Sequence, residues 1–254
     1  MKAWSVAWNL ASVPLKNPRI NVTQVRRTGK GCLSYIVSSE GDALVIDASL
    51  PSDVYQELAS ERGVRIRYVL DTHIHADHLS RSRSLANEIG ATLLLPSQDR
   101  VHFSFTPIAD GDTITIGEAT LTALRSPGHT LESTVYLLNG EAVFTGDTLF
   151  LSGVGRPDLH ADSEAAVERS RLLFHSLKQL LALGAEVLIL PCHASEPVAF
   201  DGRPLMALLG EISNELHDWL SGEDDFVERI LKRIPPTPPK LYTHCGAKRG
   251  GHSS

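Results

Sequence analysis

The chain has 254 residues, 42% hydrophobic and 21% charged, enough for one layered domain with a sizeable core. A formal net charge of -6 at pH 7 opposes the phosphate-neutralising surface that a nucleic-acid binder needs, and no apolar run reaches the length that spans a membrane. Three widely spaced cysteines, Cys32, Cys192 and Cys245, make neither a disulfide framework nor a C-x-x-C pair, although Cys192 is notable for preceding His193. The first residues carry one early Lys and an apolar stretch broken by Ser and Asn, a poor secretory signal, so a cytoplasmic protein is expected.

In chain order, apolar periodicity predicts strands over Leu33–Val37 and Ala43–Ile46, a helix over Asp53–Ser60, a strand over Arg67–Leu70 and a helix over Ser80–Ile89 closed by Gly90. Strands follow over Thr92–Leu95, Thr113–Ile116, Leu121–Leu124, Thr134–Leu138 and Ala142–Phe144. A long helix over Ser163–Leu183 has Asp162 to cap it, Gly184 to stop it, and Val167, Phe174, Leu177 and Leu181 along one face. A strand over Val187–Leu190 and helices over Leu205–Leu220 and Asp225–Lys232 complete the pattern. Two blocks of strands, each followed by helices, predict two packed sheets with helices outside, in one domain over residues 1–234. The run P-P-T-P-P cannot continue a helix and opens a proline-rich tail over 235–254.

Residues 71–78, D-T-H-I-H-A-D-H, place His73, His75, Asp77 and His78 on the loop between a strand end and a helix start. So many imidazoles are hard to bury unless hydrogen bonds or a metal satisfy their ring nitrogens. In an extended segment His73, His75 and Asp77 share one side, and His78 joins them through a bend. Three further segments end strands in the same chemistry: S-P-G-H-T with His129, T-G-D-T-L-F with Asp147, and P-C-H-A with His193. Alone, His193 reads as an ordinary surface or core histidine and Asp147 as a turn residue. Together with the dense run they point to one metal-binding sheet edge. His102, His160, His175, His217, His244 and His252 carry no such motif.

With those motifs in that order over residues 30–200, the chain resembles the metallo-beta-lactamase superfamily. The resemblance implies an α+β fold, a four-layer αββα sandwich with the metal site at one edge between two sheets. It also implies a ligand set: His73, His75 and His129 for one ion, Asp77, His78 and His193 for a second, and Asp147 between them. The fold alone does not fix the substrate.

G-V-G-R-P-D-L (153–159) and the proline-rich ending are similar to the persulfide dioxygenase branch. That likeness implies one Fe(II) per chain, held by His73, His129 and Asp147, a facial triad with open positions for a persulfide and O₂. The products are sulfite and a free thiol. His75, Asp77, His78 and His193 then orient ligands and water, with Asp77 and His78 assigned the catalytic support. Arg156 is the candidate anchor for a substrate carboxylate, its bland alternative being a salt bridge to Asp158. Thr130 is a candidate donor to substrate or a turn cap.

The chain departs from that branch at Ser80 and Arg81, where a small Gly-containing step is usual, and at Lys240-Leu241-Tyr242 after the prolines. Glutathione persulfide is therefore one of several low-molecular-weight persulfides to consider. The rival reading is a two-Zn(II) hydrolase of thioesters such as hydroxyacylglutathione, or of lactones or β-lactams. Against it, the segment after His193 lacks the Glu-Tyr step of those hydrolases. A non-catalytic metal-binding redox module is a third reading. The expected partners are small molecules, with no nucleic acid and no membrane, and a two-fold homodimer is the base-rate assembly.

Overall fold

The computed structural model describes residues 8–28, 31–75, 80–158, 161–194 and 200–233. Asp77, His78 and the tail from 234 onward lie outside the described residues.

The first sheet runs in sequence order through β1 (Trp8–Val13), β2 (Asn21–Arg27), β3 (Leu33–Ser39), β4 (Asp42–Ile46), β5 (Arg65–Leu70), β6 (Thr92–Pro96) and β7 (Thr106–Ile108). It is antiparallel up to β4 and parallel from β4 to β7. Of the three parallel steps, β4 to β5 and β5 to β6 cross over through α1 (Ser52–Glu61) and α2 (Ser82–Ile89), and β6 to β7 through residues 97–105. The second sheet is built from β8 (Thr113–Ile116), β9 (Ala119–Arg125), β10 (Thr134–Leu138), β11 (Ala142–Gly146), β14 (Leu188–Pro191) and β15 (Ala207–Leu208), in the order β15-β14-β11-β10-β9-β8. β12 (Leu149–Phe150) and β13 (Gly153–Val154) form a small ribbon. α3 (Ser163–Leu181) carries the chain from β11 to its parallel neighbour β14, and α4 (Leu209–Leu216) and α5 (Glu223–Lys232) pack beside it.

Side-chain alternation builds the layers. Along β3 and β4, Leu33, Tyr35, Val37, Leu44 and Ile46 face the apolar layer between the sheets, together with Leu121, Tyr136, Leu138 and Phe144 from the opposite side. Ile36, Ala43 and Val45 face outward onto Tyr55 and Leu58 of α1 and Leu85 of α2. Val135 and Val143 turn to Leu173, Leu177 and Leu180 of α3 and to Phe226 of α5. Three apolar layers between four layers of secondary structure make the αββα sandwich.

The strand segments expected from the sequence fall within strands except at Val187, which lies just before β14, and several ends and helices move. β1, β2, β7 and the short β12, β13 and β15 were not expected. The helix predicted over Leu205–Leu220 is confined to Leu209–Leu216. Ala207 and Leu208 pair instead with β14, and Leu205 is held on both backbone groups by the Gln24 amide (2.8 and 2.9 Å). α2 begins at Ser82 and not at Ser80, because the Ser80 hydroxyl leaves the helix to bond Asp71 (2.8 Å) and accept the Ser82 N–H (3.1 Å). In α3 the buried residues are Ala166, Ser170, Leu173, Phe174, Ser176, Leu177 and Leu180, so Phe174 and Leu177 are buried as expected and Val167 and Leu181 lie at the margin. Asp162 caps that helix as expected, accepting from the Ala165 N–H at 2.9 Å.

Candidate metal centre

The His-rich run leaves the C-terminal end of β5 and is pinned from both sheets. Thr72 donates its N–H to Asp47, just past β4, at 2.7 Å, and its carbonyl accepts from the N–H of Thr134 at the start of β10 (2.9 Å). Ile74 donates to the buried Glu132 carboxylate (3.3 Å), which also receives Arg100 (2.5 Å). The Tyr136 hydroxyl donates across the core to the Asp71 carbonyl at 2.9 Å. Asp47 itself sits at φ 54, in the left-handed region that Asp tolerates better than most residues.

These bonds set the tautomers. His73 Nδ1 lies 3.0 Å from Thr72 Oγ1, whose own proton goes to the Asp47 carboxylate (3.0 and 3.1 Å). Nδ1 therefore carries the hydrogen, and the lone pair is on Nε2. That atom is buried, has no hydrogen-bond partner among the described residues, and is 3.9 Å from Asp147 Oδ2. His129 Nδ1 donates to the Arg156 carbonyl (2.9 Å), which leaves Nε2 as its acceptor, 3.6 Å from the same Oδ2. One donor atom each from His73, His129 and Asp147 lies within 4.8 Å of the others. An unpartnered buried imidazole nitrogen, a second with its outer N–H fixed, and a shared carboxylate oxygen suit a divalent cation.

Asp147 stands at the end of β11, and its other oxygen, Oδ1, faces His193 Nδ1 (2.7 Å) and Cys192 Sγ (2.8 Å). Burial alone would raise its pKa, but the His193 hydrogen bond and the nearby His73 and His129 hold the carboxyl far below its ordinary range. Burial, with the charge of His75, lowers His73 well below the usual 6.5, so its imidazole is neutral at physiological pH. Burial also opposes a charge on His75, yet the hydrogen bond and charge of Asp47, aided by Asp71, push it up to about 9. Its Nε2 is 3.3 Å from Asp47 and 4.0 Å from Asp71. Burial and the Asp147 charge push the Cys192 thiol up.

Two glycines make the close approach feasible. Gly146 has φ 52, and a Cβ on it would lie 2.4 Å from Thr72 Oγ1. A Cβ on Gly155 would meet the Asp147 carbonyl oxygen at 1.9 Å, so only glycine lets the G-V-G-R strap lie across Asp147 and present the Arg156 carbonyl to His129.

Of the residues singled out from sequence, His73, His75, His129, Asp147 and His193 gather at one rim between the sheets. His75 shares a donor group with His73 and Cys192, and another with Asp47 and Asp71, but none with His129 and Asp147. Thr130 is buried, with its hydroxyl on Ser133 Oγ (2.8 Å), the turn-capping alternative. The Arg156 fork closes on Asp158 (3.0 and 2.6 Å), the salt-bridge alternative, at the edge of a cavity of about 390 Å³ shared with Leu151, Leu216, Trp219, Ile230 and Arg233. Sequence reasoning missed Asp47, Glu132 and the contacts of Cys192. A signal existed only for Asp47, an acid ending the apolar strand beside the motif strand.

The chain matches the Metallo-beta-lactamase superfamily over residues 27–193. It belongs to that superfamily. Among relatives of this metallo-beta-lactamase domain, the mitochondrial persulfide dioxygenase ETHE1 of Homo sapiens is 34% identical over 162 residues, 60% of this chain and 59% of that protein. A hydroxyacylglutathione hydrolase of Anaeromyxobacter dehalogenans is 35% identical over 131 residues, 51% of each. The matches thus span between half and three-fifths of these curated relatives. The crystal structure of ETHE1 from Myxococcus xanthus superposes with a TM-score of 0.73 at 27% identity, covering 89% of this chain and 96% of that one. A metallo-beta-lactamase from Staphylococcus aureus gives 0.77 at 25% identity, covering 88% and 70%.

Proposed function

We propose that the protein is an iron-dependent dioxygenase of a low-molecular-weight thiol persulfide, converting it with O₂ and water to sulfite and the free thiol. The observation that carries this reading is the corner made by His73 Nε2, His129 Nε2 and Asp147 Oδ2, from which His75 is turned toward Asp47 and Asp71. Two imidazoles and one carboxylate are the donor set of a non-haem Fe(II) oxygenase. Similarity to persulfide dioxygenases agrees with it.

Iron held there supplies the redox chemistry and the open positions that substrate and O₂ need. The chain's own residues orient it: Thr72 and Asp47 fix the His73 ring, and the Arg156 carbonyl fixes His129. Asp77 and His78 are assigned catalytic support, and His193 is assigned the orienting of ligands and water. The cavity beside the G-V-G-R strap suits the carrier part of a thiol, with apolar walls and the cations Arg156 and Arg233 at its rim for a carboxylate. Arg156 keeps part of its guanidinium edge for this after pairing with Asp158. We place the protein in the cytoplasm, as a two-fold dimer by prevalence. No helix among the described residues is long and apolar enough to cross a membrane.

Similarity to hydroxyacylglutathione hydrolases at 35% identity favours a second reading, a two-Zn(II) thioesterase. Protein loaded anaerobically with Fe(II) should consume O₂ and release sulfite when given glutathione persulfide or another small persulfide. Absence of O₂ uptake on every persulfide tried, with two zinc ions per chain and turnover of a hydroxyacylglutathione, overturns the dioxygenase in favour of the hydrolase.

A further inference from the structure

Asp147 divides its two oxygens between different neighbours. Oδ2 faces the Nε2 atoms of His73 and His129, whereas Oδ1 has Cys192 Sγ at 2.8 Å and His193 Nδ1 at 2.7 Å, the two being 3.3 Å from each other. An ionised carboxylate only accepts, so both contacts need a hydrogen on the neighbour, and each carboxylate oxygen has room for two. We propose that Cys192 is a positioning residue of the metal centre: its S–H, with the His193 N–H, fills Oδ1 and leaves Oδ2 as the single oxygen that Asp147 offers to an ion.

The backbone fixes the thiol where this requires. Cys192 donates its N–H to the Gly146 carbonyl beside Asp147 (3.2 Å), and its carbonyl accepts from Leu33 (2.7 Å). His193 bridges Cys32, and Ala194 donates to Gly31 (2.9 Å). The thiol is thus held between the sheets in a residue only 2% exposed. The orphaned Nε2 of His73 belongs to the same space, since the donor atoms of His73, His75 and Cys192 lie within 4.8 Å of one another. That proximity makes direct sulfur ligation the competing geometry. Against it, a thiolate at this position would face the Oδ1 charge at contact distance.

The inference deepens the proposed function and rests on it for the presence of a metal, but its readouts are metal binding and spectra. O₂ uptake tests the reaction separately, so either can fail alone. Full-length protein stripped by a chelator is titrated anaerobically with Co(II). The wild type should take one ion per chain at high affinity and lack near-ultraviolet sulfur-to-cobalt charge transfer. Cys192→Ala should bind about tenfold more weakly, at the low end of losses for residues that orient ligands, with changed ligand-field bands. Cys192→Ser, which keeps a donor, should restore most of the affinity. A charge-transfer band in the wild type overturns the proposal in favour of a sulfur ligand, and needs no variant to fold. Two tightly bound ions in the wild type, or wild-type affinity and spectrum in Cys192→Ala, overturn it as well.

Discussion

Thr72 has one hydroxyl and two obligations, and the way it meets them governs His73. Its single proton goes to Asp47, so its oxygen is left to accept the His73 Nδ1–H. That one exchange presents the Nε2 lone pair to Asp147 Oδ2. Thr72→Val keeps the shape and removes both bonds, so the ring loses its tautomer preference and Asp47 loses a donor while buried. Metal affinity should fall by about 10- to 100-fold, with Thr72→Ser close to wild type, as measured by calorimetric titration. An unchanged Kd in Thr72→Val would mean that the ring is held by packing alone. At this scale the sequence was partly legible. The histidines announce themselves because a dense His-rich run has few uses other than a metal. Glu132 does not, and the signals at Asp47 and Cys192 are faint, because their work depends on partners far along the chain that only the folded core brings within 3 Å or so.

Among elements, the strap from Gly153 to Arg156 matters most, being a piece of backbone serving as a ligand support. Arg156 contributes its carbonyl to His129 and its side chain to Asp158, and Gly155 is what lets the strap lie against Asp147. Gly155→Ala places a methyl 1.9 Å from the Asp147 carbonyl oxygen, which no rotamer can relieve. The strap must lift, and His129 loses the acceptor that orients it. The variant should lose activity and metal affinity by about 10- to 100-fold while retaining its far-ultraviolet circular dichroism, since the strap belongs to neither main sheet. Loss of the whole fold would instead make the strap a structural keystone. The sequence motif G-V-G-R-P-D was visible, but its use was not, since a side-chain role for Arg156 is easier to read than a carbonyl role. The elements missed have the same character. β2 buries Thr23 and Gln24 in place of an apolar alternation, and Gln24 spends its amide on Leu205, which draws β15 and its neighbours out of the helix that their apolar pattern predicts.

For the whole molecule, the centre lies where the two halves meet, beside an apolar layer and backbone bonds such as Thr134 N–H to Thr72 and Leu33 N–H to Cys192. His73 comes from the end of a strand in the first sheet, His129 and Asp147 from the second, and His193 from the segment pinned between them. An ion on His73, His129 and Asp147 would therefore cross-link the sheets, and the unfolded chain has no equivalent site because these donors are dispersed from residue 73 to residue 147. Binding to the folded state alone stabilises by about 4 kcal/mol when the free ion stands at a thousand times its Kd. For a domain of this size each kcal/mol is worth roughly 2–4 °C in Tm, so removing the metal with a chelator should lower the melting temperature by about 10 °C. His129→Ala supplies the control, since it deletes a donor contributed by the second sheet and should abolish turnover whichever metal is native. Its Tm should already lie near that of the chelated wild type and should respond little to chelator. If the wild type binds metal yet melts at the same temperature with and without it, the ion is not seated between the sheets. If His129→Ala responds to chelator as strongly as the wild type, the stabilising ion sits on donors other than His73, His129 and Asp147.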